Sequence, residues 1–318
     1  MGKFDSVWTP VLAGAFLTEY EGSVDKMWTT PITRKYDSPG EFLKLVDLGT
    51  VGAVRQLSGG RQFTAPIAYT QTIQNVVYEL SMSIDVEDVR RDNIGMWEAK
   101  AAEMGGKFAD HVNKLAISQL TTNPTCFDGV AFYGSTHPVN GTTQNNDLTS
   151  SQVAALATAS GGGATPTAVE MMNSILGCVS WFYTLTDEAG DPLNGSARKF
   201  LLATSNPNIY ASAVTAIGSI QLYGGSTDIL SKLDAKGYQF DATMDPRLGS
   251  QSSTVFYLFR TDSVIKPLVW SEEFGVEINF LGDGSYNAVH DNQYIWASKA
   301  TRALAPGRYQ HAIRATLS

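Results

Sequence analysis

No stretch of this sequence reaches the ~18 consecutive apolar residues that a membrane-spanning helix requires, so no membrane partner is expected. Its opening residues, MGKFDSVWTPVLAGAFLTEY, match neither a signal peptide nor a myristoylation site, because polar and acidic residues interrupt the short apolar run Val11 to Leu17. Cysteine is scarce: Cys126 and Cys178 lie far apart at no metal or redox spacing, which predicts two reduced thiols. Charged residues make up only 17% of the 318, below the ~25% usual in soluble proteins. A surface so poor in charge is consistent with being covered by other copies. The net charge of −8 argues against a chain that binds nucleic acid through its overall field.

Familiar chemistry is absent too. There is no GxxxxGK[ST] phosphate loop, no GxGxxG following a strand, no GxSxG elbow and no HExxH pair. The four histidines are dispersed, and only His137 lies in a polar loop, where Asp128 could orient it as a base or share a metal with it. Loop packing is the simpler role for that pair. The acidic run Asp85, Glu87, Asp88 and Asp92 offers oxygen ligands to a cation, but Arg90 and Arg91 lie within it, so an ion-pair lattice at a helix start is expected instead. Catalytic residues, cofactors and metals are therefore all expected to be none.

What is present is organised around residues 76–121. Val76, Tyr78, Leu80, Met82, Ile84 and Val86 repeat at a period of two, the mark of a half-buried strand. Beyond Asp92 the period changes. Ile94, Trp97, Ala101, Met104, Phe108, Val112 and Leu115 follow at steps of three and four, which predicts a helix over 92–121, roughly 45 Å long at about 1.5 Å per residue. Such a helix is too long for one compact core and is expected to run as a spine across a flat domain. Gly105 and Gly106 within it predict a bend or the close approach of another segment.

Residues 1–40 carry Pro10, Pro31 and Pro39 among large apolar anchors that include Trp8 and Trp28, and are expected to form an extended arm lying across another surface. Residues 42–73 give two strand-like runs joined at Ser58-Gly59-Gly60-Arg61, a hairpin without a clean core face. Between Gly49 and Asn75 there is no Asp or Glu, so Arg55 and Arg61 need carboxylates from elsewhere, and the acidic run of an adjacent copy would supply them. Downstream, short helices are expected at 150–158 and from Thr165-Pro166, strands at 200–205, 254–259 and 264–270, a helix at 208–217 and a last strand at the C-terminal end. Strands and helices in no strict alternation argue for an α+β build.

Two stretches, YELSMSIDVEDVRRDNIGMW and, after the spine, CFDGVAFYGSTHPV, resemble the Mu-like major head subunit family of tailed bacteriophages. The order of elements resembles the HK97-type capsid fold over nearly the whole chain. That resemblance implies an N-terminal arm at 1–40, an E-loop hairpin at 41–76, a peripheral domain at 77–164 and 271–318 containing the spine helix, and an axial domain at 165–270. It implies a major capsid protein, not an enzyme, whose copies form hexamers and pentamers of an icosahedral virion assembled in the host bacterial cytoplasm. Implied partners are weakly held double-stranded DNA, portal and scaffolding proteins and, in some shells, a decoration protein. Trp8, Trp28, Arg55, Arg61, Asp85, Glu87, Asp88 and Asp92 become the expected subunit-interface residues. Some shells of this type are crosslinked through an E-loop lysine, but no Lys lies between Thr50 and Asn75, so a non-covalent shell is expected. Two other readings are an encapsulin-like nanocompartment and a soluble hydrolase using Asp128 and His137.

Overall fold

In the computed structural model the described residues are 9–48, 68–91, 95–139, 141–159, 163–218, 230, 233, 236–250 and 253–318. Trp8, Arg55, Arg61, Asp92 and the Gly59-Gly60 turn lie outside them.

Two sheets carry the fold. The first has the order β1-β11-β12-β4, from β1 (Thr33–Asp37), β4 (Val76–Asp85), β11 (Leu268–Leu281) and β12 (Gln293–Pro306). The strand β4 keeps the expected alternation: Tyr78, Leu80, Met82 and Ile84 turn inward while Val77, Glu79, Ser81, Ser83 and Asp85 face solvent. Beneath its inner face lies the long helix α3 (Gly95–Thr122), preceded by the short helix α2 (Val86–Arg91).

The 28 residues of α3 make a rod of roughly 42 Å at ~1.5 Å per residue. Its length has a packing cause, since its apolar stripe passes from one core to another. Ala101, Met104 and Phe108 pack with Ile84, Tyr294 and Trp296 under the four-stranded sheet. Val112, Ala116, Ile117 and Leu120 pack instead with Leu201, Tyr257 and Phe259 of the second sheet.

That second sheet has the order β7-β13-β10-β8-β9, from β7 (Asp147–Leu148), β8 (Lys199–Thr204), β9 (Gln239–Met244), β10 (Val255–Arg260) and β13 (Ala312–Thr316). Every residue of β10 is buried, as expected of a central strand covered on both faces. Phe256 and Leu258 face a core made with the helices α4 (Ala168–Thr184) and α5 (Pro207–Gly218), while Val255, Tyr257 and Phe259 face the spine side. Two further pairs complete the described strands: the hairpin β2 (Phe42–Leu48) with β3 (Ala68–Gln74), and β5 (His137–Val139) with β6 (Thr142–Gln144). A helical turn α6 (Tyr286–His290) closes the tip between β11 and β12.

Several expectations are corrected. Residues 9–37 are not an extended arm: Thr9–Lys26 forms helix α1, with Leu12 and Phe16 buried, and Thr33–Asp37 pairs parallel with β11. Pro10 is compatible because it falls in the first turn, where its missing N–H has no intrahelical partner to lose. The close approach expected at Gly105 is α1 itself, since a Cβ there would sit 2.3 Å from the carbonyl oxygen of Phe16. The helix expected at 150–158 shrinks to one 3-10 turn at Ala154–Leu156. Helix α4 starts two residues later than expected, because Thr167 and Glu170 form a reciprocal capping box that fixes the start beyond Pro166. The last strand, expected in the peripheral part with 271–318, pairs with β10 and β7 in the five-stranded sheet.

Candidate assembly surfaces

The hairpin root is the best-anchored part of the expected interface. Leu43 and Ile73 pack on Val269 and Ala305, giving β2 and β3 a small core face that their broken alternation had concealed. The ladder runs without a slip from Phe42 opposite Gln74 to Leu48 opposite Ala68. Asn75 then turns the chain from β3 into β4, its N–H donating to the Glu41 carbonyl at 2.8 Å and its side-chain amide to the Gly40 carbonyl at 3.0 Å.

A second surface is the outer face and tip of the four-stranded sheet. Val77, Thr301 and Phe274 stand in one cross-strand row, followed by the row Glu79, Lys299 and Glu277, in which Lys299 Nζ and Glu277 Oε2 are 3.0 Å apart. Val77 and Phe274 are 63% and 55% exposed, and at the tip Tyr286 and Val289 are 70% and 78% exposed. The projection of β11 and β12 as one pair was not legible in the sequence. The missing signal was the bulge between Glu272 and Glu277, which breaks the period of two at Gly275.

The acidic junction is where expected, at the β4-to-α2 corner. Asp85 Oδ1 accepts from the Glu87 N–H at 2.8 Å and from Asn292 Nδ2 at 3.2 Å, an Asx-type bridge that starts α2. Glu87 and Arg91 form an i,i+4 pair at 3.7 Å, the ion-pair arrangement expected in place of a cation site. Asp88 is exposed, with no partner for its carboxylate among the described residues. No group of three metal-ligating side chains occurs among the described residues.

Trp28, expected to reach a neighbour, is held inside its own chain. Its indole Nε1 donates to Asp245 Oδ2 at 3.1 Å. Arg247 bridges from Asp245 to Asp110 on the spine, at 2.9 Å and 2.8 Å. Burial pushes the Asp245 carboxyl up, but the hydrogen bonds from Arg247 and Trp28 outweigh it and leave it below its ordinary value. Packing of α1 beside α3 brings Thr29 to Asn113, 2.9 Å apart, and Trp28 with it.

Two buried polar centres complete the picture. Arg302, fully buried on β12, donates to the Phe108 carbonyl at 2.8 Å, meets His111 Nδ1 at 3.2 Å and lies over the Phe108 ring. His111 is pushed down to about 4 by burial, then by Arg302 and Lys114, so it is neutral at pH 7 and can accept from the guanidinium. Across the ladder from Arg302 is Glu272, which pairs with Lys35 of β1.

The second centre is the pair expected as the only candidate base. His137 Nδ1 and Asp128 Oδ2 are 2.6 Å apart, with side chains 0% and 2% exposed, and the imidazole stacks on Tyr309 at 3.6 Å between centroids. A general base must reach its substrate's proton directly or through one water. This pair is sealed beneath the loop it folds, with Asp128 Oδ1 accepting from the Val130 N–H at 3.0 Å.

Residues 15–162 match the family described as Mu-like prophage major head subunit gpT. A curated relative, the Mu-like prophage FluMu major head subunit of Haemophilus influenzae, is 27% identical over 94 residues, or 29% of this chain and 30% of that protein. The likeness to the Mu-like major head subunits thus covers residues 15–162, just under half of the chain. That is a family of structural subunits, not of enzymes. The aligned stretch spans under a third of the curated relative.

The HK97-type capsid fold extends over nearly the whole chain. The mature capsid of bacteriophage PhiM1 matches with a TM-score of 0.58 and 11% identity, covering 92% of this chain and 87% of that one. The bacteriophage JBD30 procapsid matches at 0.55 and 15% identity, covering 98% and 76%. A virus-like particle from Pyrococcus furiosus matches at 0.54 and 9%, covering 98% and 100%. Shells of several kinds share this fold, and the family match covers residues 15–162 of the chain.

Proposed function

We propose that the chain is the major capsid protein of a tailed bacteriophage, its copies closing as hexamers and pentamers into an icosahedral head around double-stranded DNA. The observation that carries this reading is the apolar surface that one copy leaves open on its outer sheet face and tip, at Val77, Phe274, Leu281, Tyr286 and Val289. Large apolar side chains left this exposed on one sheet face and its tip are costly in water and suit contacts with another molecule. Identical copies supply that contact, and weak contacts repeated around closed rings sum to a stable shell.

In this reading the hairpin and the sheet tip reach neighbours, while the spine and five-stranded sheet form the rigid body. The hairpin at 41–76 is the E-loop of this reading, while residues 9–26 dock on their own spine and 33–37 on β11. A net charge of −8 suits an inner wall that confines DNA without binding its phosphates tightly, since strong phosphate contacts would oppose packaging and release. Portal and scaffolding proteins, and assembly in the bacterial cytoplasm, complete the proposal.

The hairpin provides the test. Leu48 and Ala68 are directly paired, so residues 49–67 can be replaced by a two-residue Asn-Gly turn without disturbing the ladder. The shortened subunit is expected to unfold at the same urea concentration as the full chain, while the yield of closed particles in electron micrographs falls at least about tenfold. Unchanged yield would show that the hairpin does not tie the shell together.

A further inference from the structure

The strand β4 ends the four-stranded sheet, and among the described residues it pairs with β12 alone. Sheet edges are ordinarily kept from pairing with other chains by proline, lysine, a bulge or shortness. The edge VVYELSMSID has none of these: it is 10 residues long, contains neither Pro nor Lys, and keeps its register with β12 unbroken from Val76 to Asp85. Ser298 Oγ donates to the Leu80 carbonyl at 3.0 Å, which places that carbonyl on the β12 side. By the alternation of an antiparallel ladder, the N–H and C=O groups of Val77, Glu79, Ser81 and Ser83 therefore point outward from the edge. The inner face is unfinished there too, since Tyr78, Leu80 and Met82 are only half-buried while Ile84 is covered.

Resting on the shell reading, we infer that β4 pairs antiparallel with β4 of a second copy across a two-fold axis centred on Ser81, joining the two four-stranded sheets into one. Length singles out this occupant. The other strands with a free edge among the described residues are at most 7 residues long. The stretch 49–67 of a neighbour is interrupted at Gly49, Gly52, Gly59, Gly60 and Pro66, so it offers no unbroken strand of that length. Another β4 matches the edge from end to end.

The side-chain pattern fixes the register. Pairing about Ser81 sets Leu80 opposite Met82 and Tyr78 opposite Ile84 on the inner face, so that apolar meets apolar. On the outer face it sets Glu79 opposite Ser83 and Val77 opposite Asp85, so no carboxylate faces another. The two Glu79 then stand about 14 Å apart at ~3.4 Å per residue, beyond the ~8 Å over which charges act at physiological salt. Centring on Leu80 would bring them to about 8 Å, and centring on Met82 would set Glu79 opposite Asp85. Each Glu79 also keeps Lys299 beside it in its own ladder. A two-fold contact requires this kind of self-complementarity, and an icosahedral shell has two-fold axes between its rings where it fits.

The test is a single cysteine in the full chain. Ser81→Cys puts two sulfurs opposite each other on Cα atoms about 5.5 Å apart, within the range a disulfide spans. After mild oxidation of assembled particles, most of this variant is expected to run as a covalent dimer on a non-reducing denaturing gel. Ser83→Cys faces Glu79 instead, with its own counterpart about 14 Å away, and is expected to give at least about tenfold less dimer. Cys126 and Cys178 are buried, so the unmodified chain supplies a dimer-free baseline. Ser81 is exposed, and Ser81→Lys is expected to leave the urea midpoint of the subunit unchanged while lowering the yield of closed particles at least about tenfold, because like charges then meet on the axis.

Particles in which Ser81→Cys stays monomeric on the gel, or crosslinks no better than Ser83→Cys, would overturn the inference while leaving the shell reading intact. Full particle yield from Ser81→Lys would do the same. Ser81→Cys dimers from a chain that forms no particles would uphold the pairing and overturn the shell reading. Neither dimers nor particles would overturn both.

Discussion

Gly105→Ala is expected to destabilise the subunit by about 2–3 kcal/mol, although alanine is worth about 1 kcal/mol more than glycine in a helix interior. The sign decides where α1 lies. With α1 docked, the new methyl would stand 2.3 Å from the Phe16 carbonyl oxygen and 3.2 Å from the Tyr20 N–H nitrogen, both backbone atoms that no rotamer change can move aside. The two helices must part, and Leu12 and Phe16, each fully buried, lose contacts worth roughly 1.5–3 kcal/mol apiece. Urea unfolding of the purified subunit measures the loss, and limited proteolysis is expected to cut within 9–26 first. An increase in stability of about 1 kcal/mol would mean that α1 rests elsewhere and that the spine is free at Gly105.

His137→Ala is expected to cost about 3–5 kcal/mol, because it strands the buried Asp128 carboxylate, leaves Tyr309 without its stacked ring and opens a void. His137→Gln, which can still donate toward Asp128, is expected to recover part of that loss. A catalytic histidine behaves differently: its removal abolishes turnover while the folded state is retained. Thermal unfolding of the two variants separates these roles. Equal melting temperatures for His137→Ala and the unmodified chain would contradict the structural role assigned to the pair.

Sequence pattern gave away the elements whose apolar period is unbroken. In β4 the period of two is intact from Tyr78 to Ile84, and along α3 the steps of three and four from Trp97 to Val112 leave no alternative to a helix. The glycine at 105 carried its meaning as well, since a glycine inside so strong a stripe signals close packing. Helix α1 was hidden by Pro10 and by reading Trp28 as an outward anchor, although Leu12, Phe16, Tyr20 and Val24 repeat at helical spacing.

The charged surface features were legible in part. The acidic corner at Asp85, Glu87 and Asp88 stands out because its residues are contiguous in the chain. The grouping of Arg34, Lys266 and Arg308 around one cavity at the hairpin root does not, because they come from three distant segments that only the pairing of β1 with β11 and of β11 with β12 brings together. Long-range strand pairing leaves no local pattern to read, and charges gathered by it stay invisible until the sheet is built.

The measurement that bears most directly on the central claim is sedimentation velocity of the purified, unmodified chain at high concentration, with electron microscopy of the fastest fraction. A shell subunit is expected to appear as closed icosahedral particles of megadalton mass together with capsomer-sized rings, without covalent oligomers on a denaturing gel. A single slow boundary at the 34.3 kDa of one chain, unchanged by concentration or salt, would contradict it.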